Sequence, residues 1–171
     1  MVSDEPEAQG RISEGMKTLL ILVGKTTDKH FQAAITDYAE RISHYMPFEI
    51  VTIPELKNTK NLTEEQQKKA EGELILRLLQ PADTIVLLDE HGKEMRSMEF
   101  ARWLEQKRNT ARRLVFVVGG PYGFSADVYA RANEQLSLSK MTFSHQMVRL
   151  FFAEQIYRAC TIIKGEPYHH E

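Results

Sequence analysis

Residues 114–124 read Leu-Val-Phe-Val-Val-Gly-Gly-Pro-Tyr-Gly-Phe, five apolar residues that break into a turn with three glycines in five positions. A continuous apolar run of this length is the pattern of a strand buried on both faces. The glycines after it let main chain approach a ligand closely, and open α/β sheets bind their ligands at such strand ends. Taken alone, the turn fits a tight strand-to-helix connection with glycine at positive φ equally well.

The same signature recurs on the N-terminal side. Thr18–Val23 (TLLILV) ends at Gly24, Phe48–Ile53 (FEIVTI) is closed by Pro54, and Thr84–Leu88 (TIVLL) runs into Asp89-Glu90-His91-Gly92-Lys93. Helical patterns lie between these runs. Asp28 caps one through about Tyr45, and Thr63-Glu64-Glu65-Gln66 has the capping-box spacing that opens a second through about Leu79. A third runs from about Ser97 to Lys107, and the polar stretch Lys57–Leu62 is expected to be a mobile loop. The alternation β-α-β-α-β-α-β predicts an α/β fold, a mostly parallel sheet with helices on both faces.

Beyond Phe124 the rhythm loosens. Ser125 is expected to cap a helix through about Gln135, 136–143 alternates like a strand, and 146–163 reads as one long helix. Apolar residues surround most of that helix, more than a single core-facing stripe requires. The excess predicts a second apolar contact, either a symmetry-related copy in a homodimer or loops of the same chain.

The 171 residues, 42% hydrophobic and 27% charged, suit one globular domain. No apolar run nears the roughly 20 residues of a membrane span, and a cytoplasmic location is the expectation. Residues 1–15 are polar, with four acidic side chains against Arg11, and read as a leader or tag before a single domain over 16–171. The lone cysteine, Cys160, rules out a disulfide within the chain and predicts a buried thiol. Net charge is −2, a value that neither requires nor excludes a nucleic-acid partner.

Two nucleotide motifs fail. Gly24-Lys25-Thr26 resembles the end of a phosphate loop, but the first glycine of that motif would fall on Leu19. A dinucleotide fingerprint begun at Gly119 meets Pro121, and one begun at Gly120 meets Tyr122. Among His30, His44, His91, His145, His169 and His170 no pair has helical metal spacing, so no metal is expected. Arg149 and Arg158 interrupt the apolar final helix on opposite sides. A buried, unpaired guanidinium is costly, so each must pair, as Arg158 can with Glu154 four residues earlier, or reach a polar groove where phosphate is a natural guest. Arg102, Lys107, Arg108, Arg112 and Arg113 read as a solvated basic face, with RNA steering as the sharper alternative. The terminal Pro167-Tyr168-His169-His170-Glu171 is either a free polar end or a tail folded over a site.

From Met16 to Glu171 the chain resembles the SPOUT-class methyltransferases that modify large-subunit ribosomal RNA at N3 of pseudouridine. The likeness is carried in order by LLILVGK, VLLDEHGK, FVVGGPYGF, LSLSKMTFSHQMVRL, AEQIYRA and PYHHE. It implies a C-terminal trefoil knot, an exception to the rule that chains do not thread. It also implies a homodimer, S-adenosylmethionine as cofactor, and ribosomal RNA or the assembled ribosome as partner. The implied cofactor pocket comprises Leu88, Gly119, Gly120, Ser139, Lys140, Met141, Thr142, Phe143 and Ser144. Methyl transfer needs in-line positioning and loss of the N3 proton. Candidates for that chemistry are Arg158, His169, Tyr168 and Glu154, with the tail crossing the dimer, and Arg149, His145 and His170 are candidates for RNA contact. His170 stands where the family often carries Arg or Lys, which weakens the expected phosphate contact at neutral pH. The alternatives are a non-catalytic ribosome-binding protein of the same fold and a nucleotide-dependent oxidoreductase, the latter disfavoured by the failed fingerprint.

Overall fold

The computed structural model describes residues 16–171, and the expectation of a leader over 1–15 lies outside them. The apolar runs become strands and the periodic segments helices, in the order β1 (Lys17–Val23), α1 (Lys29–Ser43), β2 (Phe48–Ile53), α2 (Glu64–Leu78), β3 (Asp83–Glu94), α3 (Ser97–Thr110), β4 (Arg113–Val118), α4 (Ala126–Arg131), β5 (Glu134–Ser137) and α5 (Met147–Lys164). The five strands form one parallel sheet in the order β2-β1-β4-β3-β5. The helix starts follow the capping chemistry: the Asp28 carboxylate accepts from the amides of His30 and Phe31, and Thr63 and Gln66 complete a reciprocal capping box. The Lys57–Leu62 stretch holds a single 3-10 turn, Thr59–Asn61.

Because successive side chains of a strand point to opposite faces, the sheet carries two cores. Leu20, Leu22, Val86 and Phe116 pack with Ile42 of α1, Leu104 of α3 and Phe152 and Ile156 of α5. On the other face, Leu19, Ile21, Val115 and Val117 pack with Ile75 of α2 and Val128 of α4. Each such fully buried side chain contributes on the order of 1.5–3 kcal/mol. The expectation of helices on both faces is met.

The last third departs from the sequence reading at two elements. The helix after Ser125 stops at Arg131, because Asn133 is pinned to β3: its amide donates to the Ile85 carbonyl at 2.9 Å and its side-chain oxygen accepts from the Ile85 amide at 2.7 Å. The strand expected over 136–143 is instead Glu134–Ser137, the only part that meets the edge of β3, and the chain from Leu138 to Gln146 is irregular. Strand β3 also runs further than expected. It pairs with β5 in two registers, Leu88↔Leu136 and Lys93↔Leu136, so the residues between them bulge outward. Gly92 makes this possible, since a Cβ there would stand 2.6 Å from the Leu136 amide nitrogen.

Helix α5 packs between α1 and α3, burying Phe152, Ala153, Ile156 and Ala159. Burial pushes the Cys160 thiol up to about 12, so it is an inert core group. Part of the helix's remaining apolar surface is covered by its own chain: Tyr168 of the tail lies 4.7 Å from the Tyr157 ring, centroid to centroid. Met147 and Phe151 stay exposed, as does Met141, at 78%. No described helix is long and apolar enough to cross a membrane.

Candidate active site

Three segments remote in sequence meet at the carboxyl ends of β3, β4 and β5 and enclose a cavity of about 570 Å³. The end of β3 supplies Leu88, the turn after β4 supplies Gly119 and Gly120, and the irregular segment after β5 supplies Ser139, Met141, Thr142, Phe143, Ser144 and His145. Lys140 is the one member of the Ser139–Ser144 set that does not line it, its side chain pointing to solvent. The glycine turn is closed by a hydrogen bond from the Gly123 amide to the Gly120 carbonyl at 3.2 Å, with Gly123 at φ +82°, a conformation that favours glycine. The Ser139–Ser144 segment is shaped by its own hydroxyls: Ser139 Oγ accepts from the Met141 amide at 2.9 Å and Ser144 Oγ from the Met147 amide at 3.0 Å. The main-chain groups of Thr142 and Phe143 make no hydrogen bond among the described residues, which leaves them available to a ligand edge.

Sequence reading missed part of the lining. Asp89 and His91, in the bulge of β3, overhang the cavity, and Asp89 accepts a hydrogen bond from the Tyr129 hydroxyl of α4. Burial and that carboxylate hold the Tyr129 phenol above its ordinary pKa, so it stays a donor. Asp89 follows Leu88 at a strand's carboxyl end, and that position was the available signal. Nothing in the sequence ties it to Tyr129, forty residues away.

Arg149 requires a correction. It is fully buried, and its guanidinium donates to the carbonyls of Val23 at 2.6 Å, Gly24 at 2.8 Å and His145 at 3.1 Å and to Thr26 Oγ1 at 3.0 Å. With its donors committed to oxygens at the exit of β1, it does not reach RNA. It is a strut that ties α5 to the sheet, reinforced by Gln146, whose side chain accepts from the Thr27 amide and donates to the Lys25 carbonyl. Of the expected basic face, Arg113 is clamped by Asp83 at 2.6 Å, Lys107 pairs with Glu134 and Arg108 is buried, while Arg102 and Arg112 are exposed as expected.

Arg158, Glu154, Tyr168 and His169 do come together. Arg158 Nη2 pairs with Glu154 Oε1 at 2.5 Å, and the Tyr168 hydroxyl donates to the same oxygen at 3.0 Å. The guanidinium lies 4.9 Å from the centroid of the Tyr168 ring. Arg158 Nη1 stands 3.0 Å from His169 Nδ1. Because a guanidinium only donates, Nδ1 must accept, which puts the neutral imidazole's proton on Nε2. Burial and hydrogen bonds to Tyr38 and Glu154 push the Tyr168 phenol upward, so it donates and does not serve as a base. The quartet is thus a platform of N–H donors. None of Arg158, Tyr168 and His169 lines the cavity, and Arg158 is about 15 Å along α5 from the cavity residue Val148 at 1.5 Å per residue. His170 is exposed at the end of the same tail.

The fold and cavity define a parallel α/β protein with a small-ligand-sized cavity at the carboxyl ends of its strands. A family described as predicted SPOUT methyltransferase matches residues 16–169. The chain belongs to this SPOUT methyltransferase family. It is 65% identical over 157 residues to a protein of Bacteroides fragilis named ribosomal RNA large subunit methyltransferase H, covering 91% of this chain and all of that one. Proteins of the same name from Bacteroides thetaiotaomicron and Flavobacterium psychrophilum are 63% and 54% identical over the same shares of both chains. Among the described residues no His, Cys, Asp or Glu side chains gather as a metal site.

Proposed function

We propose that the protein transfers a methyl group from S-adenosylmethionine to N3 of a pseudouridine in large-subunit ribosomal RNA, acting as a homodimer on the assembled ribosome in the cytoplasm. The observation that carries this reading is the meeting of Leu88, Gly119–Gly120 and Ser139–Ser144 in one cavity. The names of the relatives supply the RNA class.

The residues present fit the cofactor. Leu88, Val118, Leu136 and Leu138 offer an apolar wall for a purine ring, the main-chain groups of Thr142 and Phe143 can meet its edge, and Asp89 can accept from a ribose hydroxyl or an ammonium. When bound, S-adenosylmethionine supplies an electrophilic methyl carbon on a sulfonium sulfur. Methylation at N3 requires its proton to leave to water ahead of full N–C bond formation; the deprotonated imide then carries negative charge on its flanking carbonyl oxygens until the methyl arrives and the C–S bond is lost, leaving a neutral thioether. Arg158 offers donors for that charge, with Glu154, Tyr168 and His169 fixing the guanidinium; His169 Nε2, buried in the single chain, becomes a second donor only once the tail meets the substrate.

Within one chain the donor platform and the cavity are separate, so this reading assigns the tail of one copy to the cavity of the other. The exposed apolar side chains Met141, Met147 and Phe151 are the ones this reading offers to that second copy. The C-terminal segment is taken to thread as a trefoil knot, as the family resemblance implies.

The test pairs titration with S-adenosylmethionine and mass mapping of ribosomal RNA from cells lacking the protein. Saturable binding and loss of one methyl from one pseudouridine are expected. Intact methylation in those cells would refute the substrate assignment, and absence of binding would refute the cofactor.

A further inference from the structure

Glu71 lies on α2, outside the cavity, with its carboxyl group pressed against the turn that walls it. A Cβ built on Gly120 would come within 2.9 Å of Glu71 Oε2 and 3.1 Å of Oε1, so the carboxyl lies directly against the turn. Gly72 brings α2 this close, since its own Cβ would stand 2.4 Å from Ser125 Oγ at the start of α4. Glu71 is only 7% exposed. Gln67 Nε2 donates to Oε1 at 3.3 Å, while Oε2 is buried without a partner among the described residues.

Among the described residues no cation pairs with this carboxyl. On its own helix Lys68 pairs with Glu65, and on α4 Arg131 donates to the carbonyls of Gln80 and Pro81 while Asp127 is exposed. Burial pushes the Glu71 carboxyl above its ordinary range, and Gln67 opposes this. An uncompensated buried carboxylate is costly, and a cation arriving nearby offsets that cost.

We propose that the Glu71 carboxylate, seated behind Gly120, gives the cavity a preference for the cationic sulfonium of S-adenosylmethionine over the neutral thioether of S-adenosylhomocysteine that remains after transfer. The inference rests on the methyl-donor reading above. It makes Glu71 a specificity-determining residue that acts through space and favours exchange of spent for fresh cofactor. The sign of the linkage follows from the raised carboxyl. A cation stabilises the ionised form, so its binding expels the Glu71 proton, and affinity for the sulfonium rises with pH until Glu71 is ionised in the free protein.

Calorimetric titration of the full chain with each compound, in two buffers of different ionisation heat and at several pH values, tests this. The wild type is expected to bind both, with a ratio of affinities that rises with pH and proton release in excess for S-adenosylmethionine. Glu71→Gln is expected to weaken S-adenosylmethionine by roughly 3- to 30-fold, to leave S-adenosylhomocysteine within about two-fold, and to flatten the pH dependence of the ratio. Asp89, Glu90, His91 and His145 also line the cavity, but they are common to both proteins and drop out of the comparison. An unchanged ratio in a folded Glu71→Gln protein overturns the proposal. If that variant does not fold, equal proton release with both compounds in the wild type overturns it. Failure of the wild type to bind S-adenosylmethionine overturns the methyl-donor reading itself, and with it this inference.

Discussion

Arg149 and Arg158 sit nine residues apart on one helix and differ in everything but residue type. Arg149 is fully buried and bound to the main chain where β1 ends. Arg158 is a quarter exposed and bound to side chains of its own helix and of the tail. The carbonyls around Arg149 belong to a sheet strand and the turn after it and cannot move aside, so the guanidinium is locked. The partners of Arg158 are a carboxylate, a phenol and an imidazole, each able to re-pair when a polar ligand arrives. What separates a strut from a site is therefore the mobility of the partners, since both arginines satisfy the same need for hydrogen bonds.

The largest effect that probes this contrast is on stability. Arg149→Ala is expected to cost about 3–5 kcal/mol in chemical denaturation, because it empties a large buried volume and leaves the carbonyls of Val23 and Gly24 unpaired. Arg149→Lys should recover little, since one ammonium cannot serve oxygens that a planar fork reaches together. A loss below about 1 kcal/mol for the alanine variant would break the strut reading. Arg158→Ala should do the reverse. Its pair with Glu154 is partly solvated, so stability should stay within about 1 kcal/mol of wild type. Methyl transfer to ribosomes should fall by about 10²–10³-fold while S-adenosylmethionine binding persists. Equal losses of stability in the two variants would erase the distinction.

The contrast also marks how far the sequence can be read. Strands β1, β3 and β4 were legible as short, β-branched apolar runs bounded by turn residues, and β2, an edge strand with Glu49 and Thr52 exposed, as a β-rich run closed by Pro54. Strand β5 was displaced because Leu136-Ser137-Leu138-Ser139 alternates whether or not a neighbour is there to pair with, and only Glu134–Ser137 finds the edge of β3. The glycine turn was visible as a candidate from its residues, whereas joining it to Leu88 and Ser139–Ser144 took the family resemblance. Arg149 was misread for the same reason that Asp89 and Glu71 were overlooked. Their partners, Val23, Tyr129 and Gly120, lie 126, 40 and 49 residues away, and no local pattern encodes such contacts.

The smallest effect tests the Arg158 side of the comparison most finely. Tyr168→Phe removes one donor from Glu154 Oε1 but keeps the ring against the guanidinium and against Tyr157. Glu154 retains Arg158, so the guanidinium stays roughly in place, and methyl transfer should drop only about 3- to 10-fold. The pH profile should not change shape. Burial and hydrogen bonds to Tyr38 and Glu154 hold the Tyr168 phenol above its ordinary value, so it keeps its proton through the neutral range and contributes no limb there. If Tyr168→Phe abolished an ascending alkaline limb, Tyr168 would be the base that removes the N3 proton, and the donor-platform reading of the quartet would fail. A double variant with Glu154→Gln sharpens the point: the two side chains share one oxygen, so their effects should be less than additive, whereas independent roles would multiply.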